Sequence, residues 1–225
     1  MLSPATLVAD DYAKARSLLL DAKNRVDRLS DYTLNLTSQE RVGGTLLPEA
    51  TMFVKFKRPF SVYIKTLTGK QKDREIIYVK GKNNDKMIVS NVSIFGGLTA
   101  RIPPDSIWAK KESRHTISEA GLPNTMGRMV SILEKEDKAA ACRPTVTYLG
   151  EGYRSSKKVI SVRIENSSYA PKTEITLDVA TLFPVSITSY DADGSLLESY
   201  NYRDIKTNVG LTDADFDPAS PAYHF

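Results

Sequence analysis

Hydrophobic and polar residues recur with two different periods along this chain, and the switch between them predicts the elements. Over residues 4–29, Val8, Tyr12, Ala15, Leu19, Ala22, Val26 and Leu29 return at steps of three and four. That spacing lays one apolar stripe along a helix, opposite Asp11, Lys14, Asp21, Asn24 and Arg28. Ser3 is a candidate cap, Pro4 suits the first helical position, and Asp10 and Asp11 favour the positive end. From Tyr32 the period falls to two. Tyr32, Leu34 and Leu36 alternate with Thr33, Asn35 and Thr37, which predicts a half-buried strand before a turn at Gly43-Gly44. The even positions then read Met52, Val54, Phe56, Arg58, Phe60, Val62 and Ile64, with Lys55, Lys57, Ser61 and Lys65 between them. Strands are expected at 74–80 and 86–90, separated by a turn at 81–85. One dry and one wet face is typical of antiparallel sheets.

Residues 101–125 break the pattern. Pro103-Pro104, Trp108, His115, Gly121 and Pro123 predict loops with short helical turns. Met126, Met129, Val130, Ile132 and Leu133 then share one side of a helix, so a helical insert covers about 103–139. Strands resume at 144–153, 157–166, 173–180, 184–191 and 195–203, the last two joined by the hairpin signal Asp191-Ala192-Asp193-Gly194. With no repeat and no linker, the order predicts one α+β domain over 1–225, an antiparallel sheet wrapped around helices.

Composition and chemistry narrow the function. The 225 residues, 41% hydrophobic and 26% charged, suit a folded chain rather than a disordered one. A net charge of +4 permits anionic partners without requiring them. The lone Cys142 excludes an internal disulfide and, after three alanines, reads as a packing residue. Apolar runs fall short of the roughly 18 residues a membrane helix needs. Of the two histidines, His224 stands next to last, and His115 beside Ser113 and Thr116 reads as a structural hydrogen-bonder. Asp213, Asp215 and Asp217 imitate the opening of a calcium loop, but Pro218 and His224 occupy the positions that need Gly and Glu. A solvated turn or a helix start at Thr212 is expected instead. There is no phosphate loop, His-Glu-x-x-His or Cys-x-x-Cys, so neither cofactor, metal nor catalysis is expected.

Residues 53–86 hold ten Lys/Arg against three Asp/Glu, interleaved with Phe53, Phe56, Phe60, Tyr63 and Tyr78. This could be a single-strand nucleic-acid groove, a surface for anionic membrane, or the wet side of two strands; the last is the expectation. From residue 187 onward seven acids face two bases. Arg58 stands out. In an unbroken strand it points with Phe56 and Phe60 to the apolar side, where a guanidinium needs a partner; a bulge at Pro59 would turn it to water.

The run Phe53-Val54-Lys55-Phe56-Lys57-Arg58-Pro59-Phe60 resembles the front half of the LolA-like lipoprotein carriers. Leu182-Phe183-Pro184-Val185, the hairpin from Tyr190 to Gly194, and Ile205 to Asn208 resemble their back half. Over residues 30–225 the chain is also similar to a bacterial family called domain of unknown function 1571. That likeness rests on Gln39-Glu40-Arg41, on Arg58 to Tyr63, and on Asn208 to Asp213 followed by Asp215 to Pro218 and Tyr223.

These resemblances imply a strongly curved antiparallel half-barrel whose concave face is plugged by the N-terminal and central helices. They imply a non-enzymatic envelope protein, periplasmic or at the cell surface, in a mature form without its leader. The implied ligand is a lipid or lipoprotein acyl chain. Leu34, Leu36, Val54, Phe56, Phe60 and Val62 would line its site, Arg58 would latch a lid, and Met126, Met129 and Leu133 would form that lid. An envelope protein-interaction or sensor module without cargo is the alternative, with an anionic membrane surface or an envelope protein as partner; nucleic acid comes after both.

Overall fold

Helix α1 runs Pro4–Asp27 in a computed structural model that describes residues 4–92, 98–136 and 144–225. Ser3 and Cys142 lie outside the described residues. The helix stops two residues before the apolar stripe does, because the backbone beyond it is engaged elsewhere. Ser30 N–H donates to the Asn208 side chain, and Ser30 O accepts from Arg58 N–H. Among the described residues twelve strands follow: β1 (Asp31–Val42), β2 (Thr45–Leu46), β3 (Ala50–Lys57), β4 (Ser61–Thr66), β5 (Glu75–Val79), β6 (Met87–Val92), β7 (Leu98–Ile102), β8 (Thr145–Arg154), β9 (Lys157–Glu165), β10 (Lys172–Asp178), β11 (Pro184–Tyr190) and β12 (Leu196–Thr207). Between β7 and β8 stand α2 (Ile107–Lys110) and α3 (Leu122–Glu136). The architecture is α+β with antiparallel pairing throughout the registers below. No helix among the described residues is long and apolar enough to cross a membrane.

The chain divides into two compact units, each built from separate stretches: residues 1–28 with 122–201, and 29–121 with 202–225. In the first, the strand order from β12 is β12-β11-β10-β9-β8. Residues directly opposite in an antiparallel pair share a face. Tyr148, Val162, Ile175, Ile187 and Tyr200 therefore form one row, and Val146, Ile164, Thr173, Ser189 and Glu198 the next. Val146, Val162, Ile164, Ile175, Leu177 and Ile187 are buried there. From α1 come Ala15, Leu19, Ala22 and Val26, and from α3 Leu122, Met126, Met129, Val130, Ile132 and Leu133, all buried. Tyr12 donates to the Leu133 carbonyl at 3.3 Å, tying the two helices, and Lys14 sits 3.7 Å over the Tyr148 ring of β8.

In the second unit the order is β7-β6-β5-β4-β3-β1, with β2 beside β1. β3 and β4 are two strands rather than one run. Arg58, Pro59 and Phe60 form the hairpin between them, across a cis Arg58-Pro59 bond, and Lys57 pairs with Ser61. β7, which runs into the stretch 101–125 expected to be loop, is not among the expected strands; its Leu98, Ala100 and Ile102 pair with Val92, Val89 and Met87.

Candidate functional site

Register brings the expected lining residues of the strands together. Tyr32, Phe56, Val62 and Tyr78 form one row across β1, β3, β4 and β5. Leu34, Val54, Ile64 and Ile76 form the second, and Leu36, Met52 and Thr66 the third. Leu34, Val54, Phe56 and Val62 are buried, while Leu36, Met52, Ile64 and Ile76 keep part of their surface. Aromatic rings close one end. Tyr32 stacks on Phe56 at 5.0 Å, Phe60 meets Phe56 edge-on at 5.6 Å, and Tyr78 follows at 5.8 Å. The second core continues through Met87, Val89 and Ile102, with Trp108, Ala109 and Ile117 of the insert packed against it. Met126, Met129 and Leu133 are core residues of the first unit.

Arg58 lies in the hairpin, half-buried. Its Nε donates to the Leu29 carbonyl at 3.0 Å, so the guanidinium grips main chain just past the end of α1.

The opposite face is where the alternation misleads. Lys55 and Lys65, expected on the wet side, lie with Tyr63 and Ile77 beneath the segment from Asn208 to Phe225. Tyr63, Ile77 and Phe216 are buried together, with Phe53, Val79, Leu211, Tyr223 and Phe225 around them. Asp31 starts this strap: its carboxylate accepts from Val209 N–H at 2.7 Å and Gly210 N–H at 3.1 Å. A short 3-10 turn, Asp213–Phe216, opens with Thr212 and Asp215 capping each other's backbone N–H groups. Of the turn or helix start expected at Thr212, the structure has this short 3-10 turn. Lys55 Nζ binds Asp215 at 2.9 Å and the Tyr223 hydroxyl at 3.0 Å, and Lys57 binds Asp213 at 2.5 Å. Two lysines of β3 are thus paired with two aspartates of the acidic tail.

Glu75 anchors the far end of the strap with no exposed side-chain surface. It accepts from His224 N–H at 2.7 Å, from Lys65 at 3.1 Å and from the Tyr63 hydroxyl, with the His224 ring 3.3 Å away. Burial would raise its carboxyl, but these donors outweigh burial and hold it below the ordinary 4.5. Asp215 is lowered chiefly by the Thr212 N–H, against its burial. Burial and the Glu75 charge push the Tyr63 phenol up. Because the folded value of Glu75 lies below the unfolded one, its contribution is present at neutral pH and fades as pH falls below about 4.5. Melting temperature should therefore drop steeply from about pH 5 to about pH 3, and less steeply in Glu75→Gln. Parallel curves for the two proteins would mean that Glu75 does not couple the strap to pH.

These pairings bear on the basic stretch. Lys55, Lys57, Lys65 and Arg74 each sit on a carboxylate, and the interleaved aromatics are packed on two different faces. A groove presenting free cations and stackable rings to one strand does not arise from residues so engaged. His115 lies 3.7 Å from Glu119, and Ser113 beside it donates to Glu40. Among the described residues, no group of three or more His, Cys, Asp or Glu side chains is placed to hold a metal.

A fold of this kind recurs among solved structures. The chain aligns with Mycobacterium tuberculosis lipoprotein LppX at 12% identity and TM-score 0.51, covering 96% of this chain and 100% of that one. It aligns with MucB in complex with MucA(peri) at 14% and 0.51, covering 92% of this chain and 60% of that one. A LolA superfamily protein from Nitrosomonas europaea aligns at 12% identity and TM-score 0.42, covering 90% and 97%. At such identities the first two show a shared fold. By its sequence the chain belongs to the protein family of unknown function DUF1571, whose profile matches residues 29–225. Curated proteins give no match.

Proposed function

We propose that this protein is a non-enzymatic binding protein of the bacterial envelope that holds a lipid or lipoprotein acyl chain against the apolar face of β1, β3, β4 and β5. The observation that carries this reading is the set Leu36, Met52, Ile64 and Ile76. These four side chains from neighbouring rows keep surface that an apolar ligand could cover. Leu34, Val54, Phe56, Phe60 and Val62 form the floor, and Arg58 fixes the chain at the rim. Each buried methylene contributes about 0.8 kcal/mol, so a ten-carbon contact supplies about 8 kcal/mol before the cost of association. The fold shared with a lipoprotein, LppX, supports an envelope setting.

The test is extraction and mass spectrometry after incubating the protein with palmitoyl lipid and removing the excess. About one acyl chain per protein is expected, lost in Met52→Glu with little change in melting temperature. Wild-type protein that retains no lipid would sink the reading. A second reading, protein recognition, is supported by Leu149 and Tyr153 on β8, which are 42% and 78% exposed, and by the complex that MucB forms with MucA(peri).

A further inference from the structure

Arg74, the residue just before β5, lies in the third row of the apolar face, opposite Thr66, whose N–H donates to the Arg74 carbonyl at 2.9 Å. Its side chain is only 5% exposed. Among the described residues the guanidinium meets one carboxylate, Glu112, at 2.6 Å from Nη1, and its buried Nε–H reaches no acceptor. A buried donor left unmade is costly, and a planar guanidinium is built to bind a carboxylate or phosphate through two N–H groups at once. Beyond the buried Thr66 the row continues through Met52 and Leu36, both partly accessible. Glu112 follows α2 and is itself 35% exposed.

We propose that Arg74 is the head-group anchor of the site, and that the ligand is an anionic single-chain amphiphile whose carboxylate or phosphate takes the free edge of this guanidinium. This rests on the acyl-chain reading above and names its ligand class. The chain lies along the rows of Leu36, Met52 and Ile64, and the head group meets Nε–H. Glu112 is the internal anion that holds the guanidinium when the site is empty, and it opposes a charged ligand by repulsion. Trp108, the chain's single tryptophan, packs on the same apolar cluster as Tyr78 and Met87 four residues before Glu112, so its emission reports on this segment.

The experiment titrates Trp108 fluorescence with palmitate, hexadecanol and acetate, each below micellar concentration, in wild type, Glu112→Gln and Arg74→Gln. Wild type is expected to bind palmitate about tenfold more tightly than hexadecanol, the scale of one charge-assisted hydrogen bond. Glu112→Gln should widen that ratio by tightening palmitate alone, and Arg74→Gln should abolish it. If Arg74→Gln does not fold, the ratio in Glu112→Gln decides. Equal affinity for acid and alcohol in wild type and Glu112→Gln would overturn the anchor and leave the acyl-chain reading standing. Acetate competing as well as palmitate would reduce the site to one for a bare anion and overturn the proposal. Binding of neither amphiphile would overturn both readings.

Discussion

Replacing Phe216 with alanine is expected to destabilise the protein by about 3 kcal/mol and to loosen the whole strap from Asn208 to Phe225. Phe216 is 4% exposed and is the side chain by which the strap enters the cluster of Tyr63 and Ile77. Its removal takes away the transfer energy of a ring and leaves a cavity that a short 3-10 turn cannot collapse to fill. For a chain of this size that loss lowers the melting temperature by roughly 6–12 °C. Hydrogen exchange should localise the effect: amides of β4, β5 and residues 209–225 lose protection before those of α1 and α3. A melting temperature within one or two degrees of wild type, about the noise of the measurement, would show that ion pairs hold the strap without Phe216.

Gly121→Ala is expected to cost about as much, for a different reason. Gly121 has φ +97°, a left-handed conformation that costs a residue with a Cβ about 1 kcal/mol. A Cβ there would also stand 2.8 Å from the Phe56 ring and 3.0 Å from the Tyr32 hydroxyl. Those rings are stacked on each other, so neither yields without disturbing the other, and crowding adds about 2 kcal/mol. Gly81→Ala separates the two effects. Gly81 has φ +80° with nothing within 4 Å of its would-be Cβ, so only the conformational cost, about 1 kcal/mol, should appear. Equal losses in the two variants, measured by urea denaturation, would refute the crowding at Phe56.

Much of the framework could be read from the alternation, and the errors have identifiable causes. The hairpin at Arg58-Pro59-Phe60 escaped because Lys57 pairs with Ser61 and Phe56 with Val62. Even residues oppose even residues, so the side-chain period passes through the turn without a break. The same arithmetic holds between β1 and β3 and between β4 and β5, which is why Leu34, Val54, Phe56 and Val62 could be grouped before the fold was known. The strap escaped because a period of two says which side is polar, not what covers it. Lys55 reads as exposed until Asp215, 160 residues later, is found on it. β7 was hidden by its brevity and by the two prolines that follow it. Arg74 was legible in principle. It shares parity with Ile76 and Tyr78 in the strand expected over 74–80, the argument that singled out Arg58.

The split of each unit into distant stretches of chain has a consequence for biosynthesis. A ribosome that has completed β1 to β7 has made nearly all of the second unit, yet neither the end of β12 nor the strap exists. Tyr63, Ile77 and the Glu75 carboxylate must wait, uncovered, while the rest of the first unit is synthesised; α1, made earliest, waits in turn for α3. Nascent chains emerge N-terminus first and exposed apolar surface invites aggregation, so this order creates an interval of dependence on chaperones. It also means that a chain stopped before residue 208 carries a visible mark of incompleteness on β4 and β5, where proteolysis can recognise it.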